Sequence, residues 1–383
     1  MFKEVSTKLH FPKIEEEILE FWQTKDIFQK SVKNRSLDTP FVFLEGPPFA
    51  NAPPGVHHVL ARVMKDAVCR YKTMTGHYVQ RKAGWDTHGL PVEYQVEKKL
   101  NIKNKQDLEA YGVKNFIEKC KENVFQYEQD WRKMTERIGF WVDLDDPYIT
   151  LSNNYIESVW WILKQAWKKD LLYQGHKVQP YCPRCGTTLA SHEVAQGYQV
   201  VKDPSIYIKF PIKDLDNTFF LVWTTTPWTL PSNVAIVVGE DYDYVSVEYQ
   251  GQELILAKAL ISNVFGKEEK LEIKKVFKGK ELLGREYEPL FNFVTPKEKA
   301  YYVIGGDFVT LTDGTGLVHT APAFGQDDYE MLLKYNLPFV QLVNTAGNFV
   351  DEVQPWAGEF VKDADPKIID NLVNRGLMLK TAE

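Results

Sequence analysis

Apolar residues recur at 56, 59/60, 63/64, 67/68 and 71, the period of a helix, and the run stops at Gly76, a residue suited to the position after a helix end. Before this run lies an apolar strand, Phe41-Val42-Phe43-Leu44-Glu45-Gly46, and after it a second, Tyr78 to Gly84. Strand, helix and strand in that order predict a βαβ crossover and therefore a parallel sheet. Two unusual loops, 46–58 and 84–93, leave the carboxyl ends of these strands, where open α/β sheets bind ligands.

Upstream, the segment from Pro12 to Phe28 predicts a helix with Pro near its start, acids in the first turn and Ile14, Ile18, Leu19 and Trp22 on one face. Residues 105–145 read as mostly helical, with Leu108, Phe116, Ile117, Cys120, Val124, Tyr127 and Trp131 at helical spacing. A further helix from Tyr155 to Tyr173 carries three tryptophans. After about Gln196 the pattern alternates. Short strands joined by Gly, Asn and Asp turns predict a small barrel or sandwich, with a boundary near 195. The final stretch from Ala364 reads as a helix and a strand.

Composition narrows the class. A chain of 383 residues with 44% hydrophobic content can bury more than one core, and no apolar run approaches a membrane span. The start, Phe2-Lys3-Glu4, is polar and does not read as a signal peptide. A net charge of −6 argues against a bulk nucleic-acid coat. Basic patches at Lys98 to Lys105 and Lys267 to Lys280 read as solvated faces. Cys69 and Cys120 are scattered while Cys182 and Cys185 are paired. That is no disulfide framework and favours a reducing cytoplasm.

Four stretches carry candidate chemistry. Loop 46–58 has neither GxGxxG nor GxxxxGK[ST], but it is rich in Pro and places His57 and His58 in the first turn of a helix, where phosphate is attracted. The alternative is an ordinary helix start with incidental histidines. In loop 84–93, Asp86 could hold an ammonium group beside the apolar Trp85 and Pro91, or simply cap a helix. Cys182-Pro183-Arg184-Cys185 has the spacing of half a tetrahedral zinc site, or is a redox or incidental pair. Thr224 to Asn233 and His319 to Asp328 each join a strand to polar residues. Alone, these would be strand surface and a helix cap.

Together these blocks resemble the class I aminoacyl-tRNA synthetases, in particular the isoleucyl family. Gly46-Pro47-Pro48-Phe49-Ala50-Asn51 followed by a two-histidine helix start is similar to the family's His-x-Gly-His region. Gly84-Trp85-Asp86-Thr87-His88-Gly89-Leu90-Pro91-Val92-Glu93 is similar to its amino-acid-binding loop. The resemblance implies a helical segment at 1–40, the first half of a Rossmann-like catalytic domain at 41–180, a zinc-knuckle-like connector at 181–195, and an inserted, barrel-like editing domain at 196–383.

By the same resemblance, Pro47 and Asp86 contact isoleucine, with Asp86 on its α-ammonium. Gly55, His57 and His58 bind ATP, used with Mg2+, and the two histidines stabilise the adenylate-forming transition state. Where the family has His-x-Gly-His, this chain has Gly55-Val56-His57-His58. The exchange reads as a compensated swap that changes how adenylate mimics bind.

In the second domain the resemblance implies that Thr225, Thr226, Thr229 and Asn233 line an editing pocket for valine wrongly attached to tRNA(Ile). His319 bounds its side-chain pocket, and Asp328 anchors the α-ammonium. Isoleucine and valine differ by one methylene, too little for a single apolar pocket to resolve fully, so a second hydrolytic site is needed. No Ser-His-Asp triad is visible, and water attack without a covalent intermediate is expected. The CxxC that completes zinc in the family is not in this chain. A cytoplasmic monomer acting on tRNA(Ile), isoleucine and ATP is expected, with no membrane. The second half of the catalytic site, with the rest of the ATP site, is not in this chain, so this chain alone is expected not to aminoacylate tRNA but to retain deacylation. The rivals are a valyl or leucyl relative and a non-catalytic tRNA-binding module derived from such an enzyme.

Overall fold

Pro12 sits in the first turn of α1 (Phe11–Thr24), where its missing N–H costs nothing. The acids Glu15 to Glu17 fall beyond that turn. The His10 side chain instead accepts the Lys13 N–H, at 3.3 Å. The computed structural model describes residues 8–43, 45–267, 269 and 271–382, without the side chains of His192 and Gln196. The polar start Phe2-Lys3-Glu4 lies outside the described residues. The chain divides into two compact units, 1–174 and 175–383.

In the first unit, α1 is followed by α2 (Ile27–Lys33), α3 (Val56–Met74), β1 (Lys82–Trp85), and the helices α4 (Leu90–Leu100), α5 (Lys105–Tyr111), α6 (Val113–Val124) and α7 (Glu128–Arg137). Then come β2 (Asp143–Ile149) and α8 (Asn153–Lys168). β1 and β2 pair in parallel, Trp85 opposite Ile149, so the sheet is parallel as expected. Two isolated parallel bridges, Pro40 with Tyr78 and Phe49 with Asp86, flank its predicted first strand. The helical stretch also ends sooner than the periodicity suggests, because 143–149 is strand. α3 stops where expected, with Gly76 at φ 97°. Its apolar stripe, however, is exposed at Val56, Leu60, Met64 and Val68, and its buried positions are Arg62, Cys69 and Thr73. Among the described residues, buried apolar side chains gather in three small groups, around Trp85 and Trp131, around Ala83 and Phe140, and around Val96 and Phe116, while others such as Val79 and Val92 are buried outside them.

The second unit begins with the hairpin β3 (Tyr181–Cys182) and β4 (Thr187–Thr188) and with α9 (Ser191–Gln196). Five strands follow: β5 (Ser205–Pro211), β6 (Thr218–Thr224), β7 (Ala235–Val238), β8 (Asp243–Tyr249) and β9 (Gln252–Ala257). After α10 (Ile261–Phe265) come β10 (Glu272–Lys278), β11 (Tyr302–Gly305), β12 (Leu317–Thr320), α11 (Gln326–Tyr335), α12 (Val361–Asn374) and β13 (Met378–Ala382). They make a six-stranded sheet in the order β10-β8-β9-β6-β5-β13 and a three-stranded sheet in the order β11-β7-β12. Neither closes on itself among the described residues, so the expected barrel takes the form of two open sheets. One continuous core joins them. Ile206, Ile208 and Phe210 on β5 and all four residues of β7 are fully buried. The basic patch at 267–280 includes the edge strand β10, which pairs antiparallel with β8.

Candidate functional sites

The first site is built on the crossover. The N–H of Asp86, just past β1, donates to the Pro48 carbonyl at 3.0 Å, which ties the Pro-rich loop to the end of the strand. Pro47 is half-buried next to that tie. The Asp86 carboxylate is one-third exposed, at 33%. Its contacts are long, 3.4 Å from the Thr150 hydroxyl and 3.9 Å from His88 Nδ1. Thr150 is held in turn by the Thr87 N–H at 3.0 Å. The carboxylate therefore keeps lone pairs for an ammonium ligand. Beside it Gly84 passes so close to Tyr148 that a Cβ there would lie 2.3 Å from its ring.

Gly55 is the N-cap of α3, so His57 and His58 stand in the first turn of a 19-residue helix, at the positive end of its dipole. His58 Nδ1 accepts the Gly55 N–H at 2.8 Å, which leaves the proton of the neutral ring on Nε2. Burial, then His57 and Arg62, lower the pKa of His58 and favour that neutral ring. The two imidazoles lie 3.8 Å apart, and the His58 ring meets the Trp131 edge at 4.6 Å. In the sequence, Trp131 stands out only as a helical core position. Its Nε1 donates to the Ala52 carbonyl of the loop at 2.8 Å, and Arg62 lies over its ring at 4.8 Å. Only its long sequence separation from the loop hid this role.

The second site is a cavity of about 390 Å³ in the second unit. It brings together Thr225, Thr226 and Thr229 with His319 and Asp328, from two stretches far apart in sequence. The Thr229 hydroxyl donates to the Thr226 carbonyl at 2.8 Å and lies 2.9 Å from His319 Nε2. His319 is buried, its Nδ1 has no protein partner, and burial pushes its pKa down to about 4. Its ring is therefore neutral at physiological pH. Asp328 accepts the Ala321 N–H at 2.8 Å, and burial raises its carboxyl. Asn233 is not brought to the cavity. Its amide is used in the core, donating to the Ala235 carbonyl at 2.9 Å and accepting the Tyr287 hydroxyl at 2.7 Å. A polar residue next to a threonine strip invites a pocket reading. Here its bonds to the Ala235 carbonyl and the Tyr287 hydroxyl hold it in the core.

Cys182 and Cys185 stand on the β3-β4 hairpin. The Cys185 N–H points at Cys182 Sγ at 3.3 Å, and Arg184 Nη1 lies 3.2 Å from Cys185 Sγ. Burial raises the Cys185 thiol. No group of three or more His, Cys, Asp or Glu residues able to hold a metal occurs among the described residues. Two thiols alone do not fit a four-coordinate zinc site.

A family model described as tRNA synthetases class I (I, L, M and V) matches residues 17–373. An isoleucine--tRNA ligase of Clostridium kluyveri is 55% identical over 99% of this chain and 36% of its own length. That of Clostridium acetobutylicum is 54% identical over 100% of this chain and 36% of its own. That of Bacillus thuringiensis strain Al Hakam is 52% identical over 93% and 34%. The chain thus spans about a third of the length of these curated relatives. Among solved structures, "The crystal structure of GlLeuRS-CP1" aligns with 47% of this chain at a TM-score of 0.38 and 15% identity, too loose a likeness to bear on function.

Proposed function

The chain belongs to the class I tRNA synthetases of the isoleucine, leucine, methionine and valine group, and from that membership we propose that it is the N-terminal portion of an isoleucine--tRNA ligase with a hydrolytic editing site. In the first unit, Asp86 pairs with the α-ammonium of isoleucine and Pro47 shapes its pocket. Gly55, His57 and His58 receive ATP, used with Mg2+. The isoleucine carboxylate attacks the α-phosphate and pyrophosphate leaves, with the helix end and imidazoles meeting the shifted negative charge. The chain works in the cytoplasm as a monomer with tRNA(Ile).

In the cavity of the second unit, Asp328 holds the α-ammonium of a valyl ester and the threonines hold the terminal adenosine. Water attacks the ester carbonyl, the bond to the tRNA oxygen breaks, and valine and free tRNA result. A neutral His319 bounds the side-chain space. The observation that carries this reading is the gathering of Thr225, Thr226, Thr229, His319 and Asp328 around one cavity.

The test is hydrolysis of Val-tRNA(Ile) and Ile-tRNA(Ile) by this chain and by Asp328→Ala. Loss of valine only, abolished in the variant, is the expected result. Cleavage of neither ester while tRNA still binds would replace the reading with a binding module.

A further inference from the structure

Asp365 is an acidic side chain that neither proposed site uses and that the core nevertheless encloses. It sits on α12 with 2% of its surface exposed. One carboxylate oxygen, Oδ1, accepts the Trp228 N–H at 2.8 Å, and the other, Oδ2, is buried without a protein partner. A buried unpaired oxygen is costly. Burial pushes the carboxyl up to about 6, opposed by Lys362 on the same helix and by the Trp228 N–H, and aided by Asp203. The turn it contacts, Pro227–Ser232, has no titratable side chain.

That turn is a short 3-10 helix, whose opening N–H groups need outside partners. Pro227 has no N–H, and the Thr229 N–H returns to the Thr226 carbonyl at 3.1 Å. The Trp228 N–H is satisfied by Asp365. Trp228 and Thr229 both reach the cavity wall from there. The indole packs edge-on against Phe324 at 5.0 Å, and Phe324 lines the cavity. Thr229 lies against His319.

We propose that Asp365 is a positioning residue for the cavity: from α12 it anchors the Pro227–Ser232 turn and so sets where Thr229 and Phe324 stand. Its consequence for hydrolysis rests on the editing reading above, whereas the anchor itself does not. Asp365 lies outside the cavity lining and acts through Trp228. What it supplies is an acceptor, not a charge.

The experiment compares this chain with Asp365→Ala and Asp365→Asn. Two readouts are used, hydrolysis of Val-tRNA(Ile) and hydrogen exchange of the Trp228 amide, assigned with Trp228→Phe. Asp365→Ala should lower kcat about tenfold or more, with KM for the ester within about twofold, because the loss is one of geometry. Asp365→Asn keeps an acceptor and should restore kcat to within about twofold. The Trp228 amide should be protected in the native chain and Asp365→Asn, and exchange faster in Asp365→Ala. Native kcat in Asp365→Ala, or Asp365→Asn as slow as Asp365→Ala, would overturn the proposal. If the native chain cleaves nothing, the editing reading falls, and the exchange pattern alone decides the anchor.

Discussion

The imidazole of His57 fills the space beside Gly55: a Cβ built on Gly55 would lie 2.8 Å from His57 Cε1. The two positions therefore share one volume, which only one of them can fill with a ring. Gly55→His alone should crowd His57 and, on the adenylate-forming reading proposed above, weaken ATP binding, while Gly55→His with His57→Gly should recover it. Calorimetric titration checks both. The same double variant should bind adenylate mimics with a changed dissociation constant, and equal constants would sink the idea of a functional swap.

Trp131 is predicted to hold the Pro-rich loop rather than merely fill space. Trp131→Phe keeps the ring but leaves the Ala52 carbonyl without its donor, at a cost of about 1–3 kcal/mol. Urea unfolding measures the loss. Faster amide exchange across 46–54 should accompany it.

Gly325 is the N-cap of α11, and a Cβ there would lie 1.9 Å from Asp328 Oδ2. Gly325→Ala should displace the carboxylate with little effect on folding. On the editing reading proposed above, deacylation of Val-tRNA(Ile) should fall about tenfold or more, since small misplacements near a reacting group are costly. A melting temperature within a few degrees of native would separate this from unfolding.

His319 has its pKa depressed from 6.5 to about 4 in the folded chain. The unfolded chain therefore binds the proton more readily, and stability should fall as pH drops from 6.5 towards 4, by about 2–3 kcal/mol in total. His319→Gln should flatten this slope. Urea midpoints across that range provide the check, and a slope unchanged by the substitution would refute it.

Asp365 has the opposite sign. Its folded pKa is raised from 3.8 to about 6, so the folded chain holds the proton longer, and its contribution to stability falls as pH rises from 4 to 6. Asp365→Asn removes the buried charge and should stabilise the chain at pH 7 by about 1–3 kcal/mol. A lower urea midpoint at that pH would contradict the assignment.

Legibility followed the range of the interactions. The stripe on α3 and the stop at Gly76 depend on residues within a turn or two, and sequence alone places them. What the stripe packs against does not, and Val56, Leu60 and Met64 prove exposed. Phe41 to Gly46 has the composition of a strand, but a ladder needs a partner in register, and among the described residues the pairing around it consists of single bridges at Pro40 and Phe49. Lys267 to Lys280 lacks alternation because β10 is an edge strand with little to bury. In the cavity, the threonines, His319 and Asp328 announce themselves by side-chain type. Asn233 misleads because its partner, Tyr287, is 54 residues away. Asp365 stays hidden because the N–H it serves is 137 residues distant.

The register of the large sheet has a further meaning. β13 pairs antiparallel with β5, Ala382 opposite Ser205 and Met378 opposite Ile208. A long excursion of chain thus returns to within one strand spacing, about 5 Å, of where it set out. A gap of that width is all that separates the two ends of the 205–382 stretch. The stretch from Ser205 to Ala382 is portable in the mechanical sense: its first and last strands stand side by side like the jambs of one doorway, and a short tether could close it.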